Sequence, residues 1–197
     1  MRVTTGMWLM LMGGLHTAIG QVLFQSRTPS PLPEVLRPFA EGADHVDVKT
    51  VESEATQREF LAALLSYQPA WVKALFGVRA VFVRLLGMRQ HRQPRSRRLR
   101  PEDVPMTPGS AASFFIVRHA EEGHVWVVAA KDKHLDATLA VVVEPAPGGG
   151  ARRRFHVVTL VHYRNRAGPV YFNFIRPLHH LVVGSMARSA ARAPGPA

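Results

Sequence analysis

The sequence predicts an α+β domain in which a curved antiparallel sheet wraps a long C-terminal helix. Apolar residues recur at helical spacing before Gly87 and at strand spacing after Gly109. Short turns separate the strand-like runs, as they do in antiparallel hairpins. An apolar, aromatic-rich segment, residues 170–192, follows the last strand and is expected to cover one face of the sheet.

Each element of this domain has its own signal in the sequence. Ala43–Lys49 alternates apolar and polar residues and predicts a first strand. Thr56 and Glu59 have the spacing of a capping box, which predicts a helix through Leu65. The apolar period from Trp71 to Gly87 predicts a second helix that ends at a glycine.

The second half of the domain is read as four strands and one helix. The predicted strands are Ala112–Arg118, Val125–Ala130, His134–Glu144 and Arg154–Tyr163. The final helix, residues 170–192, contains Pro177, which is expected to kink the helix or to restart it.

The N-terminal part of the chain is predicted to be separate from this domain. Residues 1–24 include the uncharged stretch Gly6–Phe24, which is about long enough to cross a membrane, although its glycines and polar residues weaken that interpretation. An uncleaved anchor helix, a cleaved signal peptide and a soluble leader all stay open. We therefore expect the protein to be either membrane-associated through one N-terminal helix or cytoplasmic.

Domain boundaries follow from composition. Residues 25–38 are rich in proline and predict an extended linker. The main domain is placed at 39–192 and a disordered tail at 193–197. The chain of 197 residues, 47% of them hydrophobic, is long enough for one such domain with a sizeable core.

Charge and cysteine usage exclude several function classes. The absence of cysteine excludes disulfides, thiol catalysis and thiolate zinc sites. The net charge of +11 would attract polyanions, but the densest basic run, Arg89–Arg100, contains no aromatic residue on which bases could stack. Nucleic acid is therefore not an expected partner, and this run is expected to be a solvated loop or a contact with an anionic membrane.

One polar row marks the start of the third predicted strand of this half. Asp132, His134 and Asp136 are spaced two residues apart, so in a strand their side chains would share one face. The neighbours Leu135 and Ala137 would then face the core. A carboxylate beside an imidazole can fix the tautomer of the ring, so the row has the parts of a general base and its orienting group.

Several motifs carry a resemblance to a known family. They are DKHLDATLAVVV at 132–143, VTLVHYRNRAGPVYFNFIRPLHHLVV at 158–183, and the upstream pieces ADHVD, QPAW and LLG. In these motifs the chain resembles family 2867 of bacterial domains of unknown function (DUF2867), which is related to the Bet v 1-like or START-like (SRPBCC) helix-grip superfamily. The resemblance extends from Leu32 to Arg192.

The resemblance implies an interior cavity between sheet and helix that holds an apolar or amphipathic small molecule. The polar groups expected to contact such a ligand are His134, Asp136 and Tyr171, and the expected walls are Trp71 and Trp126.

Motifs for other chemistry are weak. The available hydroxyls, including Thr159, lie in no nucleophile elbow, so acyl transfer is not predicted. The side chains of the adjacent residues His179 and His180 would point about 100° apart around a helix, so they cannot both bind one ion. No paired-histidine metal motif occurs in the sequence. No metal or other cofactor is expected. Three function classes stay open: a binding module, an acid-base enzyme using His134 and Asp136, and a basic membrane-surface protein.

Overall fold

The computed structural model describes residues 32–75, 77 and 99–193. The predicted leader at 1–24, most of the second predicted helix and most of the Arg89–Arg100 run lie outside these residues. In the part of the chain that the structure describes, no helix is both long and apolar enough to span a membrane.

The described elements follow the predicted order. A 3₁₀ turn at Glu34–Leu36 and the short helix α1 (Arg37–Ala40) precede strand β1 (His45–Ser53), helix α2 (Gln57–Ser66) and helix α3 (residues 70–75). The later elements are β2 (Ala111–Ala112), β3 (Phe115–Glu121), β4 (Val125–Lys131), β5 (Leu135–Pro145), β6 (Arg153–Tyr163) and α4 (Ala167–Ala190).

All the described strands join one antiparallel sheet in the order β1-β6-β5-β4-β3-β2. β2 to β6 form a meander, whereas β1 crosses to the far edge and pairs with the last strand. With α4 packed against α2, β1 and β6, this is a helix-grip architecture and confirms the predicted α+β fold class. The predicted N-terminal apolar helix lies outside the described residues.

Helix α2 begins where the capping box places it. Thr56 accepts the backbone N–H of Glu59 at 3.3 Å, and the Glu59 carboxylate accepts the backbone N–H of Thr56 at 2.7 Å, so both donors are satisfied. Its apolar side carries Phe60, whose ring stacks on Phe155 of β6 with centroids 4.0 Å apart. This contact fixes α2 against the sheet.

The sheet has two buried faces. The inner face, toward α2 and α4, includes Trp126, Val141 and Val157, while the outer face includes Val127 and Val158. Because side chains alternate along a strand, an apolar run such as 125–128 must be buried on both sides.

The N-terminal segment 32–40 covers part of the outer face. Leu36 is fully buried there, with Leu32 and Phe39 packed beside it. The packed domain therefore starts before the predicted boundary at residue 39, because the end of the proline-rich segment supplies an apolar cover for the sheet.

Two predicted element bounds change in the structure. β5 begins at Leu135 rather than His134, since residues 132–134 form the preceding turn. α4 begins at Ala167 and continues through Pro177 as one helix. Proline at this position removes the hydrogen bond to the carbonyl of Asn173, and both residues are exposed, so water can satisfy that carbonyl.

Candidate ligand-binding cavity

A cavity of about 320 Å³ lies between the inner face of the sheet and α4. Strands β5 and β6 form its floor, α4 forms its roof, and the end of α2 together with α3 closes one side. Most of its lining is apolar. The apolar side chains are those of Leu64, Leu65, Val72, Leu75, Phe114, Phe115, Leu135, Ala137, Leu139, Val157, Val161, Phe172, Ile175, Leu178, Val182, Val183 and Met186.

Two polar side chains of the lining are unusual. Thr159 lies between Val157 and Val161 on the inner face of β6 and is 4% exposed. His179 projects from the middle of α4. The Oγ1 atom of Thr159 and the Nε2 atom of His179 are buried, and no described residue gives either of them a hydrogen-bond partner. Such atoms are costly unless something pairs with them.

A charged row on β1 stands beside these two residues. His45, Asp47 and Lys49 alternate with outward-facing residues, and Asp47 pairs directly with Thr159 in the β1–β6 register, so their side chains share the inner face. Asp47 is 8% exposed, and its Oδ1 atom lies 2.7 Å from Lys49 Nζ and 3.3 Å from His180 Nδ1. Its Oδ2 atom is buried with no hydrogen-bond partner among the described residues.

The surroundings of His179 keep its ring neutral. Burial lowers its pKa from 6.5 to about 4; Asp47 opposes that shift, and His180 adds to it. Burial also lowers the pKa of His45. At neutral pH, His179 therefore presents an uncharged imidazole, which can donate or accept one hydrogen bond according to its tautomer.

The predicted ligand-contacting residues are only partly brought together. Tyr171 is buried and lines the cavity. Trp126 is fully buried in the inner core, where its indole N–H donates to the Pro105 carbonyl at 2.8 Å, and it is not a lining residue. Trp71 is 37% exposed and meets the lining residue Tyr67 edge-to-face at 6.5 Å.

His134 and Asp136 are not lining residues of this cavity. Asp136 follows Leu135 in β5, so its side chain points to the outer face, and its Oδ1 atom lies 3.6 Å from Arg164 Nη1. His134 lies in the turn, with Nδ1 at 3.1 Å from Asn165 Oδ1. The predicted single-faced row of Asp132, His134 and Asp136 therefore does not form, because the strand starts after His134.

This turn instead docks the start of α4. Asn165 donates to the Lys133 carbonyl at 2.9 Å, and its Oδ1 atom accepts the backbone N–H of Ala167 at 3.1 Å. The His134 carbonyl accepts the backbone N–H of Arg164 at 2.9 Å. The segment that looks most catalytic in the sequence is thus engaged in holding the helix against the sheet.

Sequence reasoning did not select the inner polar group made by Asp47, Thr159 and His179. A signal was present: Thr159 is the lone polar residue in the buried run 157–161, and residues 45–49 alternate as His-Val-Asp-Val-Lys. Their convergence depends on the pairing of the first strand with the last, which no local pattern specifies. No cluster of three or more potential metal ligands occurs in the described segments.

Comparisons with solved structures return proteins of low sequence identity. Norcoclaurine synthase from Thalictrum flavum, solved with dopamine and hydroxybenzaldehyde, is 12% identical, with a TM-score of 0.39 over 86% of this chain and 95% of the other. A major latex protein family member from Arabidopsis thaliana is 11% identical, with a TM-score of 0.32 over 73% and 94% of the two chains. Ara h 8.0201 is 10% identical, with a TM-score of 0.36 over 74% and 97%.

A comparison with curated proteins gives no match. The model of a family described as a protein of unknown function (DUF2867) matches residues 39–186, which is most of the helix-grip domain. That match agrees with the resemblance carried by the motifs around the turn and α4. The chain belongs to the DUF2867 family.

Proposed function

We propose that this protein binds an apolar or amphipathic small molecule in the cavity between sheet and α4. The observation that carries the proposal is the combination of a largely apolar lining with buried polar atoms at one place in the wall. Ligand pockets typically combine these features, because apolar burial supplies affinity and a few polar groups fix orientation.

The size of the cavity supports the same conclusion. At about 320 Å³ it is near the lower end of the range of about 300–1,000 Å³ that small-molecule pockets occupy. Each methylene of a guest that leaves water for this lining contributes about 0.8 kcal/mol. A guest with a short alkyl chain or one or two rings would therefore be matched in size and polarity.

The cavity is tested by the fluorescence of Nile red, a neutral dye that brightens in apolar sites, titrated with the full chain. Filling the cavity with Ala137→Phe should weaken dye binding by about tenfold or more, because Ala137 lines the floor and a larger ring occupies the guest's volume. Ala129→Phe is the matched control, since Ala129 lies two residues after Val127 on the outer face of β4 and does not line the cavity.

Circular dichroism establishes that both variants are folded before dye binding is compared. Equal dye affinity in wild type and a folded Ala137→Phe variant contradicts the proposal, as does a wild-type chain that does not brighten the dye. If Ala137→Phe fails to fold, Ile175→Trp on the roof gives the same test from α4.

The described geometry favours this function over the two alternatives. His134 and Asp136 contact Asn165 and Arg164, respectively, and neither lines the cavity, so no observation favours acid-base chemistry there. Membrane contact through residues 6–24 and Arg89–Arg100 stays a prediction, because nearly all of those residues lie outside the described part of the chain.

A further inference from the structure

We propose that the cavity selects guests whose polar end is a neutral hydroxyl group, held between Asp47, Thr159 and His179. This inference rests on the proposed function and adds the chemical class of the ligand. It assigns a role to three of the buried polar atoms that have no hydrogen-bond partner among the described residues.

The three atoms belong to three different elements that pack against one another. Asp47 Oδ2 belongs to β1, Thr159 Oγ1 to β6 and His179 Nε2 to α4, and each is buried without a hydrogen-bond partner among the described residues. Asp47 and Thr159 are direct partners across two strands, and the charge of Asp47 acts on the His179 ring. Thr159 and His179 line the cavity and Asp47 does not, so a guest there meets the Thr159 hydroxyl and the His179 imidazole, with Asp47 beside Thr159 on the neighbouring strand.

Hydrogen-bonding capacity limits what this group can hold. An ionised carboxylate only accepts hydrogen bonds, so a partner for Asp47 Oδ2 must donate one. The Thr159 hydroxyl and the neutral imidazole of His179 each donate or accept. A guest hydroxyl both donates and accepts, and it can therefore satisfy Asp47 while pairing with either of the other two.

The cost of desolvation disfavours the ionic alternatives. A guest carboxylate would lose its hydration in a largely apolar cavity, and the positive charge of Lys49 is already paired with Asp47. A guest ammonium would be drawn to Asp47, but Lys49 already contacts that carboxylate at 2.7 Å and would repel a second cation. A neutral hydroxyl loses less hydration free energy than either ion.

The test is displacement of Nile red from the full chain by decanol, decanoate and decylamine, which share one alkyl chain and differ in the polar end. At pH 7.5, decanol should displace the dye at a concentration at least about tenfold lower than the two ions. Decanoate or decylamine acting at the same or a lower concentration would overturn the inference while leaving the cavity itself supported. A dye that never binds would instead overturn the proposed function.

Thr159→Val separates recognition from packing, because it removes the hydroxyl with little change of shape. We expect a loss of about three- to tenfold in the decanol preference, taken as the ratio of the displacing concentrations of decylamine and decanol in the same variant, and a higher urea midpoint, since an unpaired buried hydroxyl is removed. Thr107→Val, in an exposed loop, is the matched control and should leave the decanol preference intact. An unchanged decanol preference in Thr159→Val would contradict the inference.

Discussion

Two rows of polar residues have the same two-residue spacing in the sequence but lie in different surroundings in the fold. Asp132, His134 and Asp136 precede and enter β5, whereas His45, Asp47 and Lys49 lie within β1. The first set is divided between a turn and the outer face, and the second set stays together on the inner face beside α4. The spacing shows which side chains would share a face if a strand forms, but it does not show where the strand starts or which face is covered.

The difference has a structural cause. The residues before β5 form a turn that is hydrogen-bonded to the residues just before α4. Asn165 contacts the Lys133 carbonyl and the His134 ring, and Arg164 donates to the His134 carbonyl. β1 is an edge strand, and among the described strands it pairs with β6 alone. The inner side chains of β1 therefore face α4, where Asp47 lies near His179 and His180.

The largest expected effect tests the docking role of the turn. A Cβ atom at Gly168 would lie 2.6 Å from the His134 carbonyl oxygen, so Gly168→Ala must push α4 away from the turn. We expect the free energy of unfolding to fall by about 3 kcal/mol in urea denaturation. Gly184→Ala in the same helix meets only the flexible Arg188 side chain at 3.3 Å and should be neutral or slightly stabilising. Equal effects of the two substitutions would show that the turn does not restrain α4.

The next largest effect tests the burial of His179 through the pH dependence of the free energy of unfolding. The pKa of His179 is about 4 in the folded protein and 6.5 in an unfolded chain, so the unfolded chain binds more protons between these values. Stability is then unaffected by His179 above pH 6.5 and falls by about 2–3 kcal/mol as pH decreases from 6.5 to 4. The groups that act on the ring are Asp47, His180, His45 and Lys49.

The measurement is the difference between wild type and His179→Leu in urea midpoints across this pH range. Leucine cannot take up a proton, so the variant should lack this part of the pH dependence while retaining the contribution of the carboxylates. Parallel pH profiles for the two proteins would mean that His179 is solvated and not buried beside the cavity.

The smallest effect concerns the outer face. Asp136→Asn removes one charge of a partly exposed pair in which Asp136 Oδ1 lies 3.6 Å from Arg164 Nη1, so stability should change by less than about 1 kcal/mol. Nile red binding and the decanol preference should both equal wild type. A large loss of dye binding in this variant would place Asp136 in the ligand site and would contradict the conclusion that the two rows lie on different faces of the sheet.

Local sequence patterns predicted much of this fold because the responsible interactions are local. The capping box at Thr56 and Glu59 lies within one helical turn, and the apolar runs of β4, β5 and β6 are of strand length and are bounded by turn residues. The residues of the candidate site were harder to predict from the sequence. Tyr171 lines the cavity, and its contact with a ligand stays a prediction. Asp47 and Thr159 are brought together by the pairing of strands far apart in the chain, and His179 is brought near them by the packing of α4.

The sequence by itself determined the element types, the antiparallel meander and the long apolar C-terminal helix, because propensity, turns and periodicity act over a few residues. Only the tertiary structure decided that β1 closes the sheet beside β6, that Leu36 covers the outer face and that the polar group of the cavity lies under α4. Those outcomes depend on which buried surfaces fit one another across the whole domain, and on the free energy of leaving a few polar atoms unpaired inside it.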